Sequence, residues 1–217
     1  MSSIQLVIFD CDGVLVDSEP IAQRVLGDLL DELGVGMPQA DVRTNFFGKT
    51  VPQCIVLIER LTGRPMSAEL IASWRTRLYA AFEQVPVTAV DGVHDVLSEL
   101  RLPVCVVSNG PIDKMETTLG VTGLRTFFGD HLFSPDLGIP GKPAPDLFLA
   151  AARAFGIAPA SCAVIEDSAG GIRGANAAGM RAFGFTGLPS TDVEQLAATG
   201  AELFDDMRAL PQLIANR

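Results

Sequence analysis

The sequence predicts an α/β protein: a parallel β-sheet with helices on both faces, interrupted by an inserted α-helical domain. Three observations lead there. Short apolar runs at residues 4–10, 103–108, 163–167 and 180–185 end in polar residues or in Gly and Ser. Helical patterns separate these runs, and strands alternating with helices imply βαβ units in a parallel sheet. Between residues 17 and 82 the alternation stops and only helical patterns remain.

Each element has its own warrant. The run Leu6-Val7-Ile8-Phe9 has no polar side, as a strand covered on both faces requires. Helical patterns follow at 21–33, 52–61 and 68–82. A strand-free block of this length reads as a separate helical domain over residues 17–84, with linkers near 16–19 and 84–90. The alternative is a set of helices that merely pad the sheet. The core is then residues 1–16 and 85–217, with helices at 93–100, 112–119, 145–155, 170–178 and 193–198 between the remaining strands. In such a sheet the functional residues gather at the carboxyl ends of the strands. Trp74, Tyr79 and Phe82 stand at helical spacing and are expected to pack the core of the insert.

Composition narrows the function. With 217 residues, 48% of them hydrophobic and 19% charged, the chain can bury a core and is not of the disordered class. No apolar run reaches the ~18 residues that span a bilayer, and the N-terminus lacks a basic stretch ahead of its apolar run, so a cytoplasmic chain with no membrane partner is expected. The net charge of −10 repels polyanions, so nucleic acid is not an expected partner. A small anionic substrate stays open, because local groups or a metal can invert the sign inside a pocket. Cys11, Cys54, Cys105 and Cys162 form no C-x-x-C pair and read as reduced, mostly buried thiols. Two histidines leave little room for a Ser/His/Asp triad or a His-rich metal site.

Four strand-end segments carry the chemistry. Asp10-Cys11-Asp12-Gly13 follows the first strand; two carboxylates at i and i+2 can face one space and must share a proton or a cation. Mg²⁺ suits such a pair, since it takes oxygen ligands and binds through one or two carboxylates. The competing reading is an Asp/Gly-rich surface turn. Ser108-Asn109-Gly110 offers a hydroxyl and backbone N–H groups to a phosphate, although it is also an ordinary turn sequence. Lys142, one of three lysines, stands among turn formers ahead of a helix and can reach a phosphoryl oxygen or simply be solvated. Glu166 and Asp167 end another buried strand; pointing to opposite faces, one can bind metal while the other orients a cation or a metal-bound water.

In this order the four segments resemble the motifs of the haloacid dehalogenase-like hydrolase superfamily, across nearly the whole chain. The resemblance implies a Rossmann-like core with a helical cap inserted after the first motif. Residues 16–20 (Val-Asp-Ser-Glu-Pro) and 141–146 (Gly-Lys-Pro-Ala-Pro-Asp) resemble the branch that holds β-phosphoglucomutase and phosphoglycolate phosphatase. Ser108-Asn109-Gly110-Pro111 with Lys114-Met115 is most similar to its 6-phosphogluconate phosphatase group. The implied activity is Mg²⁺-dependent hydrolysis of a small phosphorylated metabolite, a sugar or sugar-acid phosphate, by a monomer or small homo-oligomer. The implied roles are Asp10 as nucleophile and Asp12 as acid and base; Ser108, Asn109 and Lys142 hold the phosphoryl oxygens. Asp10, the backbone carbonyl of Asp12 and Asp167 hold the metal, and Glu166 supports the metal waters or Lys142. Asp12 favours phosphoryl transfer, since the dehalogenases lack a carboxylate there. Gly48, Lys49 and Thr50, in the segment Phe47-Gly48-Lys49-Thr50, resemble the cap's substrate-facing turn; Lys49, with Arg43, could meet a sugar-acid carboxylate, and the competing reading is a solvated helix start. A sugar-phosphate mutase shares the same aspartyl-phosphate chemistry. A receiver-like signalling domain uses similar groups but places its aspartate on a middle strand and has no cap.

Overall fold

The computed structural model describes residues 3–46 and 48–215. The chain runs β1 (Leu6–Phe9), β2 (Val16–Asp17), α1 (Glu19–Glu32), α2 (Gln39–Phe46), α3 (Val51–Thr62), α4 (Ala68–Gln84), β3 (Thr88–Ala89), α5 (Val93–Glu99), β4 (Val104–Val107) and α6 (Ile112–Val121). It continues β5 (Leu132–Phe133), α7 (Asp146–Phe155), β6 (Cys162–Glu166), α8 (Ala169–Ala177), β7 (Arg181–Phe185), α9 (Val193–Ala197), β8 (Glu202–Phe204) and α10 (Leu210–Ala215). Six strands form one parallel sheet in the order β5-β4-β1-β6-β7-β8.

The sheet is buried on both faces, which explains the unbroken apolar runs. Side chains alternate across a strand, so Val7 and Phe9 join one apolar cluster and Leu6 and Ile8 the other. The first cluster is closed by residues of α5, α6 and α10, including Val96, Leu119 and Ile214. The second is closed by α7 and α8, through Leu147, Phe148, Ala151 and Ile172. Because β1 lies between β4 and β6, the carboxyl ends of these three strands open on the same edge.

Helices α1–α4 share a third cluster, built around Leu29, Leu30, Ile58 and Trp74. The linkers on either side of them pair as an antiparallel ribbon, Val16 opposite Ala89 and Asp17 opposite Thr88. No helix among the described residues is long and apolar enough to cross a membrane. All four cysteines are free and buried.

The aromatic residues of α4 divide differently from the expectation. Trp74 packs in the cluster of α1–α4, but Phe82 joins the cluster of the sheet and Tyr79 packs against that same cluster. The reason is that α4 has two apolar faces, one toward its own domain and one toward α6. Strands β2, β3, β5 and β8 and helices α2 and α10 have no counterpart in the expected elements; the strands are only two or three residues long.

Phe148 is fully buried beneath the strand ends that carry the polar groups. Phe148→Ala should lower unfolding stability by about 3–5 kcal/mol, measured by urea titration; a cost below about 1 kcal/mol would contradict this packing.

Candidate active site

The first strand delivers its carboxylates through a loop that only glycine can complete. Asp10 extends the ladder by one bond, its N–H donating to the Ile165 carbonyl at 2.9 Å. The chain then turns, with the Leu15 and Val16 N–H groups donating to the Cys11 carbonyl at 2.9 and 3.0 Å. Gly13 has φ +83°, and a Cβ there would overlap the Asp167 carboxyl. The absent side chain is therefore what lets the first motif close on the fourth.

Lys142 draws the other motifs together. Its Nζ lies 2.8 Å from Asp10 Oδ1 and also pairs with Glu166 Oε1, and the lysine side chain is only 5% exposed. The Asn109 carboxamide holds the lysine backbone, its Oδ1 accepting from the Lys142 N–H at 2.7 Å and its Nδ2 donating to the Lys142 carbonyl at 2.9 Å. Glu166 is fully buried, and its second oxygen accepts from the Ser168 hydroxyl at 2.9 Å and the Ser168 N–H at 3.2 Å. A Cβ on Gly171 would overlap the Glu166 carboxyl, so α8 starts directly against it. Ser108 is buried, and its Oγ accepts from the Gly110 N–H at 3.0 Å.

Asp12 turns another way. Its Oδ1 lies 2.8 Å from Lys114 Nζ and accepts from the Ser18 hydroxyl. Among the described residues, the acidic groups whose side-chain oxygens lie within 4.8 Å of one another are Asp10, Glu166 and Asp167. The Asp12 side chain is committed to Lys114 and Ser18, and the part expected of Asp12 toward a metal falls to its backbone carbonyl. Within the set, both Glu166 oxygens already have partners, which leaves Asp10 and Asp167 as the carboxylates available to an ion.

The electrostatics fit a divalent cation. Three carboxyls, Asp10, Glu166 and Asp167, crowd around one ammonium, Lys142. A divalent oxygen-binding ion supplies the positive charge that this group lacks. Burial, then the charge of Glu166, pushes the Asp10 carboxyl up to about 7 against the pull of Lys142. Burial, then Asp10 and Glu166, raises Asp167 well above the usual range. Burial also works to raise Asp12, but Lys114 and Ser18 outweigh it and hold that carboxyl low. Asp10 and Asp167 are the strained anions, and they stand where the cation is wanted.

These groups open on a cavity of about 920 Å³ walled by the core on one side and by α1–α4 on the other. Gly48 and Lys49 line it, and the Gly48 carbonyl accepts from Asn109 Nδ2 at 3.0 Å. Thr50 does not line it. Its hydroxyl accepts from the Gln53 N–H while Gln53 Oε1 accepts from the Thr50 N–H at 2.9 Å, a reciprocal cap on α3. Phe47 lies outside the described residues. Three contacts were not foreseen from the sequence: Asp113 binds Arg75 and the Tyr79 hydroxyl of α4, the latter at 2.7 Å, and Lys114 binds Asp12. The Ser-Asn-Gly-Pro-x-x-Lys spacing was the only signal for Lys114.

The raised Asp10 carboxyl sets a pH dependence. In the metal-free protein the unfolded carboxyl releases its proton near 4 and the folded one near 7. The folded state therefore binds more protons in that window, and its stability falls as pH rises through it. Chemical denaturation in chelator should show this slope, and Mg²⁺ or Asp10→Asn should flatten it; equal slopes in all three would contradict the assignment.

A family model for haloacid dehalogenase-like hydrolases matches residues 4–179. The 6-phosphogluconate phosphatase of Escherichia coli K12 is 31% identical over 214 residues, covering 98% of this chain and 96% of that protein. Among solved structures, a conserved haloacid dehalogenase-like protein of unknown function from Agrobacterium tumefaciens C58 superposes with a TM-score of 0.82 at 39% identity, covering 99% of both chains. A hydrolase of the same family from Deinococcus radiodurans R1, solved with bound phosphate and sodium, gives 0.77 at 30% identity, covering 99% of this chain and 98% of that one. The chain belongs to the haloacid dehalogenase-like hydrolase family.

Proposed function

We propose that this chain, a phosphatase, hydrolyses small sugar phosphates or sugar-acid phosphates such as 6-phosphogluconate, in a Mg²⁺-dependent reaction through an aspartyl-phosphate on Asp10. One observation carries the reading: a buried lysine joins Asp10 to Glu166 beside Asp167, at the floor of a cavity closed by a helical insert. The likeness to the E. coli 6-phosphogluconate phosphatase supports the substrate class. We assign residues 17–84 as the cap and the rest as the catalytic core.

In this reading an Asp10 carboxylate oxygen attacks phosphorus, and Asp12, ionised at rest, takes the proton of the bound phosphomonoester monoanion and passes it to the ester oxygen as the P–O bond breaks. Asp12 then takes a proton from the water that opens the aspartyl-phosphate. Lys142, the Ser108 hydroxyl and the Asn109 N–H hold the oxygens on which charge builds. Glu166 acts through Lys142, keeping the ammonium beside Asp10. Asp10, Asp167 and the Asp12 carbonyl would hold a divalent cation, which would supply the charge neutralisation that an anion needs to approach an anionic ester. Gly48 and Lys49 form the cap wall of the substrate cavity, which shields the aspartyl-phosphate from bulk water.

Phosphate release from a panel of phosphorylated metabolites with Mg²⁺ tests the reading. The wild type should turn over 6-phosphogluconate and related esters, and Asp10→Asn should lose about 10³-fold or more in kcat. Sustained turnover by that variant would remove Asp10 as nucleophile. Isomer formation without phosphate release would make the enzyme a mutase instead.

A further inference from the structure

We propose that Lys114 is a specificity-determining residue that reads a carboxylate on the leaving group, so that sugar-acid phosphates are preferred over neutral sugar or polyol phosphates. The inference rests on the phosphatase reading above and names the substrate class of that same site.

Position comes first. Lys114 lies in the first turn of α6, just past the Ser108-Asn109-Gly110 strand end, and its side chain folds back over Gly110. A Cβ at Gly110 would stand 3.6 Å from both Lys114 Cδ and Asp12 Oδ2, so the lysine stem and the Asp12 carboxylate share the space above that glycine. Lys114 Nζ is 2.8 Å from Asp12 Oδ1 and 6.0 Å from the Phe82 ring centre. The side chain is 15% exposed and lines the cavity.

Asp12 is the group that hands its proton to the leaving oxygen, which demands an approach of roughly 2.6–3.2 Å. The leaving oxygen therefore sits about two hydrogen-bond lengths from Lys114 Nζ, and the rest of the leaving group extends past the ammonium. An ammonium carries three donors and no acceptor. Its ion pair with Asp12 uses one of them.

The other cations around the cavity are placed for different work. Lys142 is held by Asp10 and Glu166 on the phosphoryl side, and Arg75 is bound to Asp113. Lys49 and Arg173 are exposed, where water screens a charge, and Arg43 is half-buried near Glu19. Among the described residues, Lys114 is the buried cation on the leaving-group side with donors to spare. A carboxylate accepts charge-assisted hydrogen bonds from them. A neutral polyol offers weaker acceptors for the same desolvated ammonium, and the difference is selectivity.

The experiment is a comparison of kcat and KM for gluconate 6-phosphate and sorbitol 6-phosphate with Mg²⁺, in wild type, Lys114→Met and Lys114→Arg, with p-nitrophenyl phosphate as reference. The two sugars differ at the far end, carboxylate against hydroxymethyl. The wild type should favour the acid ~10- to 100-fold in kcat/KM, the size of a hydrogen bond to a charged group. Lys114→Met should bring that ratio to about one through the KM of the acid, and Lys114→Arg should restore part of it. Any loss through Asp12 lowers kcat for both sugars alike and cancels in the ratio. A ratio that survives in Lys114→Met, or a wild type with no preference while p-nitrophenyl phosphate is hydrolysed, overturns the inference alone. No hydrolysis of any ester by folded wild type overturns the phosphatase reading and this one with it.

Discussion

The rest of the site depends on one buried ammonium. Lys142 enters from the loop ahead of α7 and stands between Asp10 at the end of β1 and Glu166 at the end of β6. Two adjacent parallel strands thus end in carboxylates that a single cation holds together. Burying an unpaired charge costs several kcal/mol, so neither carboxylate is tolerable at the sheet edge without the lysine. The lysine in turn keeps its charge because both partners face it; they outweigh the burial that works to neutralise it. Without Lys142, Asp10 and Glu166 would repel, and the space beside Asp167 where a cation fits would lose its shape.

That arrangement needs backbone close to carboxylate, and glycine supplies it at two places. Gly13 brings the first loop against Asp167, and Gly171 brings the start of α8 against Glu166. A Cβ at Gly13 would push the Asp167 carboxyl aside, and one at Gly171 would push Glu166 away from Lys142 and Ser168. The neighbouring Ser168 both caps α8, accepting from the Gly171 N–H at 3.0 Å, and donates to Glu166. Helix formation and carboxylate placement are therefore one local event.

Much of this was legible in the sequence, for a physical reason. A parallel strand buried on both faces has nowhere to hide a charge, so Asp10, Glu166 and Asp167 at strand ends advertise a site before any geometry is known. The parallel sheet and the three longer helices between the first strand and β3 were equally readable, because long amphipathic patterns are unambiguous, whereas the eight-residue α2 and the order of the strands were not. The short strands were not, since two or three residues carry no period: Leu132–Phe133 exists because the longer β4 offers it a ladder, and Thr88–Ala89 because the two linkers meet and pair with each other. Thr50 takes the other of the two readings its segment allowed: its hydroxyl starts a helix. The partners of Asp12 and Asp113 were hidden for another reason: Lys114 and Arg75 belong to elements whose approach is decided by tertiary packing alone.

Helices α1–α4 and the Asp10 cluster are not independent, and Asn109 is why. One carboxamide donates to the Gly48 carbonyl between α2 and α3 and to the Lys142 carbonyl, while its oxygen accepts from the Lys142 N–H. The Asn109 carboxamide is thereby fixed from both sides, and the loop that carries Lys142 is fixed with it. Asp113 makes a parallel link one turn further on, tying α4 to the start of α6 beside Lys114. Moving α1–α4 away from the core would have to break both links, so Lys142, Lys114 and the wall opposite them are held as one unit.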